Sequence, residues 1–155
     1  MNATKRMTRP IRRSAQEAIV ALLRSADTVR RKLTEVVEPY GVTFQQYNVL
    51  RILRGAHPDP LPTLEIGERM IERTPGVTRL VDRLEEKGWV RREACPGDRR
   101  IVYCRISEAG LELLAAMDDA VDAADEAVVA GLERSGRAEL VRLLERLHDG
   151  PLGNR

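Results

Sequence analysis

Aromatic side chains are scarce in this chain: one Phe, one Trp and three Tyr make up 3% of its 155 residues. Any core therefore has to be built from Leu, Val, Ile and Ala, a mixture that favours helices. Histidine and cysteine are scarcer still. His57 and His148 stand alone, and Cys95 and Cys104 have no partner at a ligand-like spacing, so no patterned metal site is expected. A Gly-rich phosphate loop is lacking, as is any His or Cys with a partner at motif spacing and any paired acidic motif beyond surface charge. Those absences argue against an enzyme and against a bound cofactor. No apolar run is long enough for a signal peptide or a membrane span, so a cytoplasmic protein with no membrane partner and with reduced thiols is expected.

Charge is abundant but unevenly placed. The net charge is only +2, yet residues 1–13 carry five cations and no anions, and residues 14–42 carry four of each. Residues 43–106 carry twelve cations against nine anions, and residues 107–155 carry five against eleven. A chain that is basic in front and acidic behind fits a polyanion partner for its first two-thirds, with the last third held away from it. Solvated charged faces alone give the same pattern.

Apolar periodicity supplies the elements. Ser14 with Glu17 reads as a capping box, and Ile19, Leu22, Leu23, Ala26, Val29, Leu33, Val36 and Val37 then recur at helical spacing until Glu38-Pro39. Thr43 with Gln46 is a second capping box, opening a helix from about 44 to 54 with Gly55 as its C-cap. After the proline-punctuated HPDPLP, Thr63 is expected to cap a short helix through about Met70, and Ile71-Glu72-Arg73 reads as a tight turn. Thr74-Pro75 then supplies an N-cap and a first-position proline for a fourth helix to about Lys87, closed by Gly88. Two short helices joined by a tight turn make a helix-turn-helix candidate.

From Val90 the period changes to that of a strand. VRREA and IVYCRI flank the turn-forming Pro96-Gly97-Asp98, and the tip carries Arg99 and Arg100. Ser107 caps another long helix with Leu114, Met117, Val121, Ala124 and Val128 at heptad-like positions. Beyond Gly131, Ser135 opens a last helix carrying Leu140, Leu143, Leu144 and Leu147, stopped by Gly150-Pro151.

The fourth helix is the candidate for chemistry. Val77, Leu80, Val81 and Leu84 form its buried stripe, and the opposite face holds Pro75, Arg79, Asp82 and Glu86, flanked by Thr78 and Arg83. Its N-terminal half presents Thr74, Pro75, Gly76, Thr78 and Arg79, and small hydroxyls with one arginine are side chains that bond base edges and phosphates in a major groove. Its C-terminal half, with Asp82, Glu85 and Glu86, repels phosphates. A hairpin that begins a few residues later can lie along the adjacent backbone and bring its tip to the minor groove. Asp98, two residues before Arg100, is placed to orient that guanidinium by a charge-assisted hydrogen bond.

The run from Thr74 to Gly110, TPGVTRLVDRLEEKGWVRREACPGDRRIVYCRISEAG, resembles the DNA-binding core of MarR-type winged helix-turn-helix repressors. The most specific parts are Leu80-Val81-Asp82-Arg83-Leu84-Glu85 and the wing motif Asp98-x-Arg100, followed by Ile106-Ser107 and Glu108-Ala109-Gly110. Ile106-Ser107 stands where that family usually has Leu-Thr. The resemblance implies a mainly α fold with a small β-hairpin wing. It implies a basic tail over 1–13, an N-terminal dimerisation helix within 14–42, a DNA-binding lobe over 43–106 and C-terminal dimerisation helices over 107–149. It further implies a homodimer on double-stranded DNA, each subunit giving one recognition helix and one wing to a half-site of a pseudo-palindromic operator, with half-site centres about 10 bp apart. By the same resemblance Arg100 serves the minor groove and Arg99 a phosphate.

Proteins similar to this one often release DNA when a small aromatic or phenolic effector enters a crevice beside the dimerisation helices. Tyr40, Tyr47, His57 and Trp89 are the polar-tipped rings available for such a pocket. Two other readings stay open: a winged-helix protein-interaction module with no operator, and a redox-sensing regulator in which nearby arginines lower the thiol pKa of Cys95 or Cys104. The family's peroxide sensors carry their reactive cysteine in the first helix, which here has none. In simple antiparallel pairing Cys104 faces Arg92, which argues against a disulfide with Cys95.

Overall fold

A computed structural model describes residues 15–149. The basic tail, the Ser14 half of the first capping box and the Gly150-Pro151 stop lie outside the described residues. Helix α1 spans Ala15–Val37 and passes through a 3-10 turn, Glu38–Tyr40, that ends at Gly41 in the left-handed region, φ 79°. Helix α2 spans Phe44–Ala56, and its capping box is complete: the Thr43 hydroxyl accepts from Gln46 N at 3.2 Å while Gln46 Oε1 accepts from Thr43 N at 3.1 Å. Strand β1, Leu61–Pro62, leads into α3, Thr63–Arg69, and α4, Val77–Glu86. Strands β2, Val90–Ala94, and β3, Val102–Ile106, form the hairpin, followed by α5, Glu108–Val129, and α6, Arg134–His148.

The three strands form one antiparallel sheet in the order β1-β3-β2, with Leu61 opposite Cys104, Arg92 opposite Cys104 on the other side and Ala94 opposite Val102. Strand β1 is a third strand that the sequence pattern does not announce. Its proline is tolerated because β1 lies at the sheet edge.

Several helix ends differ from their expected positions, each for a local reason. Helix α2 runs past Gly55 and is capped at His57, whose N-H donates to Leu53 O and Arg54 O, because Pro58 rather than the glycine ends it. Thr63 is the first residue of α3 and not its cap: its hydroxyl donates to Val102 O at 3.1 Å. Thr74 does not cap α4. Its hydroxyl donates to Glu72 O and accepts from Gln45 Nε2, both at 3.3 Å, and Gly76 takes the N-cap position, two residues later than expected. Helix α6 begins at Arg134 with Glu133 at the N-cap, one residue before Ser135.

The core lies where α2, α4, the sheet and the first half of α5 meet. Val49, Leu50, Leu53, Ile66, Val81, Leu84, Val90, Leu114 and Met117 are buried there in one cluster. The packing is continuous across residues 106–107, so α5 is built into the lobe it leaves. Leu114, Met117, Val121 and Ala124 are buried as their heptad-like spacing requires, whereas Val128 is exposed. Helix α1 packs along α5 but leaves Ile19, Val20, Leu22 and Leu23 exposed, and α6 buries none of its residues, with Leu140, Val141, Leu143, Leu144 and Leu147 all in solvent.

Candidate nucleic-acid interface

Helices α3 and α4 cross closely, because a Cβ on Gly67 would stand only 3.1 Å from Val77 Cγ2. The turn between them is held from behind. Asn48 Oδ1 on α2 accepts the N-H of Ile71 at 2.9 Å, Gln45 reaches Thr74, and Arg30 on α1 pairs with Glu72. Two helices thus fix the presentation of α4 through its N-terminal approach. On that presented end Pro75, Thr78 and Arg79 are exposed, while Thr74 and Gly76 are half-buried. Among the described residues Arg79 has no carboxylate within 4.0 Å. Asp82, three residues on, instead accepts from Arg92 through Oδ1.

The hairpin tip is closed by Cys95 N donating to Ile101 O at 3.1 Å and Ile101 N donating to Asp98 O at 3.0 Å. Inside it Asp98 clasps Arg100. Its Oδ1 accepts from Arg100 Nε and from Arg100 N, and its Oδ2 accepts from Nη2, each at 3.0 Å. The clasp holds the Asp98 carboxyl below the ordinary carboxylate range and the Arg100 guanidinium above its ordinary value. The Arg100 side chain is nevertheless 90% exposed, so it is oriented without being covered. Arg99 beside it is exposed as well.

Helix and wing tip share a cleft of about 510 Å³, walled by Leu64 of α3, Thr78 and Val81 of α4, and Arg92, Arg100 and Tyr103 of the hairpin. On the other side of α4 a groove of about 580 Å³ runs past Gly67, Arg73, Thr74, Pro75 and Thr78. The N-terminal half of α4 is therefore a ridge with a depression on each flank. Thr78 borders both depressions.

Arg92 is the residue of this surface whose place sequence patterning misses. Its Nη1 donates to Asp82 Oδ1 at 2.6 Å, its Nε donates to Glu85 Oε2 at 2.7 Å, and its Nη2 stands 2.6 Å from the same oxygen. The guanidinium holds Glu85 below the ordinary carboxylate range and is itself raised, chiefly by its hydrogen bond to Glu85. The carboxylates counted from sequence as repelling phosphate are thus partly neutralised. The available signal is that a cation on β2, the strand directly after Gly88, returns alongside the helix it has just left.

The four polar-tipped rings are not brought together. Tyr47 lines a crevice of about 190 Å³ with Leu33, Phe44, Asn48, Arg51, Ile71, Val121 and Asp125, between α1, α2, α5 and the turn before α4. Tyr40, His57 and Trp89 do not line it. Tyr40 packs on the core, His57 is exposed at the end of α2, and Trp89 lies under Lys87 Nζ, 4.8 Å from its ring centroid. Arg51 is the crevice's cation. It donates to the Tyr47 hydroxyl at 2.8 Å, and that bond, with the nearby charges of Asp118 and Asp125, raises its guanidinium.

The expected activation of the wing thiols fails at Cys104. It is 0% exposed in the core, its Sγ is 3.4 Å from Thr63 Oγ1, and burial pushes the thiol up rather than down despite Arg92 across the ladder. Cys95 is half-buried, and both cysteines are free. Among the described residues no group of His, Cys, Asp and Glu is placed to hold a metal, and no helix is long and apolar enough to cross a membrane.

Comparison with known proteins places this geometry. The MarR family model matches residues 40–101, the span from the turn before α2 to the wing tip. A MarR transcription factor from Planctomyces limnophilus is 36% identical, with a TM-score of 0.68 over 85% of this chain and 96% of that one. The transcriptional regulator MhqR of Bacillus subtilis is 28% identical over 61% of this chain and 64% of its own length. The match to a second Bacillus subtilis regulator, YwoH, covers 61% of that protein, so the chain spans under two-thirds of these curated relatives. BpsR of Bordetella bronchiseptica, whose DNA binding is regulated by 6-hydroxynicotinic acid, shares the fold at 20% identity, with a TM-score of 0.77 over 86% of this chain and 99% of that one. The helix order, the three-stranded wing and the identity to the Planctomyces protein across nearly its full length together establish that this chain belongs to the MarR family of winged helix-turn-helix transcriptional regulators.

Proposed function

We propose that the chain is a homodimeric, sequence-specific DNA-binding repressor of a pseudo-palindromic operator, released by a small aromatic or phenolic effector. The observation that carries this reading is the shared cleft: Thr78 of α4 and Arg100 of the wing tip border one depression, so helix and wing form a single surface. In this reading residues 43–106 are the DNA-binding lobe. Thr74, Pro75, Gly76, Thr78 and Arg79 meet the major groove, Arg100 enters the minor groove in the orientation set by Asp98, and Arg99 meets phosphate. Segments 14–42 and 107–149 supply the dimer contacts. The effector site is the crevice beside Tyr47, where Arg51 offers an anion a counter-charge; Tyr40, His57 and Trp89 are left out of it.

The test is a duplex selected from a random pool with the wild-type chain, then titrated with Arg79→Ala. Loss of a bidentate arginine-base contact is expected to cost about 1–3 kcal/mol on the selected sequence and far less on an unrelated duplex. Aromatic carboxylates added to the preformed complex are expected to lower its anisotropy. Equal losses on both duplexes would reassign Arg79 to phosphate, and a wild type that enriches no sequence refutes the repressor reading.

A further inference from the structure

The α4 segment is an unfavourable thing to bring to a polyanion. Within Val77–Glu86 it carries Arg79 and Arg83 against Asp82, Glu85 and Glu86, a net charge of −1. Asp82 and Glu85 are three residues apart and share one flank of the helix. That flank faces the hairpin, where one guanidinium meets both carboxylates. The strand is also tied there by its backbone, since Arg92 N donates to Glu85 Oε1 at 3.3 Å. Arg92 sits mid-strand opposite buried Cys104, so its Cα is anchored to the core while its side chain spans to α4. It also borders the cleft that Thr78 and Arg100 border.

We infer that Arg92 is a positioning residue of the DNA interface: from the wing it neutralises Asp82 and Glu85, so that the flank of α4 beside the cleft repels a polyanion less. Its role is to remove a repulsion, not to contact DNA. This rests on the DNA-binding reading above. Lysine is a poor substitute, because a compact ammonium does not offer the planar fork that reaches two carboxylates at once.

The experiment uses the full chain and the duplex enriched by the wild type. Arg92→Ala, Arg92→Lys and the triple variant Arg92→Ala/Asp82→Asn/Glu85→Gln are compared by affinity across a salt series, with far-UV circular dichroism and Tm for each. Arg92→Ala is expected to weaken binding by roughly tenfold or more at moderate salt, with Arg92→Lys intermediate. The triple variant is expected to regain most of the affinity, because the carboxylates that need masking are gone. A merely structural residue would move Tm and affinity together and would not be rescued by neutral carboxamides. Wild-type affinity in Arg92→Ala overturns the inference. So does a folded triple variant that is not rescued, above all if the salt slope drops by about one unit, the signature of a lost phosphate contact. A wild type that enriches no duplex overturns the DNA-binding reading instead, which keeps the two failures apart.

Discussion

Gly110 leaves no room for a methyl group. A Cβ there would collide with Trp89 O, between recognition helix and wing, and stand 2.7 Å from Ile106 Cγ1, at the end of β3 where the chain leaves the wing. Neither neighbour is a flexible chain end, so Gly110→Ala is expected to destabilise the fold by about 1–3 kcal/mol, read as a lower urea midpoint at unchanged m. Cys104 gives a second residue-scale expectation. A thiol-specific reagent under native conditions should modify it only as fast as the chain unfolds, while denaturant should expose both cysteines; rapid native modification of two thiols would contradict its burial. The pH dependence follows from the same burial. The folded state holds the neutral thiol at a raised pKa, so the unfolded chain gives up its proton first as pH climbs. Stability from this group is therefore fully present below the ordinary thiol range and is lost as pH rises from there through the raised folded pKa.

Among the elements, the wing is where affinity and stability come apart. Arg100→Ala is expected to weaken DNA binding and flatten the salt dependence by up to about one unit of slope. It should leave Tm unchanged, since Asp98 and Arg100 meet at an exposed tip. Asp98→Asn keeps the cation but loses the carboxylate charge and the Oδ2 bond to Nη2, so its affinity loss should come with an unchanged slope; loss of slope there would show that the tip itself has rearranged. This contact was legible in the sequence because both partners lie two residues apart in one turn. So were the capping box at Thr43, the N-cap at Ser107 and the helical stripes of α2 and α5, all of which depend on neighbours in the chain. What was not legible depends on residues brought from elsewhere. Thr74 reads as a cap until Gln45, on another helix, engages its hydroxyl. Leu61-Pro62 is too short to read as a strand and becomes one only beside β3. Arg92 reads as one cation among many until Asp82 and Glu85 lie next to it. The grouping of Tyr40, Tyr47, His57 and Trp89 failed because it used residue type alone, and type does not say which element a ring packs against.

For the whole molecule, the exposed apolar faces on α1 and α6 support the proposed dimer. Leu23 is 64% exposed on α1 and Leu147 is 59% exposed on α6, and neither belongs to an isolated spot: each sits in a run of large apolar residues on its own helix. Covering such side chains contributes about 1.5–3 kcal/mol apiece when burial is complete, which favours the proposed dimer in which a second copy covers both runs. Sedimentation is expected to give a dimer for the wild type and a monomer for Leu144→Glu/Leu147→Glu; a monomeric wild type at micromolar concentration would refute the dimer. Mechanical consequences follow from how α5 leaves the lobe. The Ser107 hydroxyl accepts from Gly110 N at 3.1 Å and donates to Gly88 O at 2.6 Å, which bolts the start of α5 to the turn joining α4 and the wing. A second bolt, Arg54 to Asp118 at 2.9 Å, lies halfway along. The 22 residues of α5 form a rod about 33 Å long, so a sideways displacement of about 3 Å at its far end is a tilt of about 5°. With the near end bolted, the rod is built as a tiller: a tilt of α5 would carry the recognition helix and the wing as one rotation, without either needing to change its own shape.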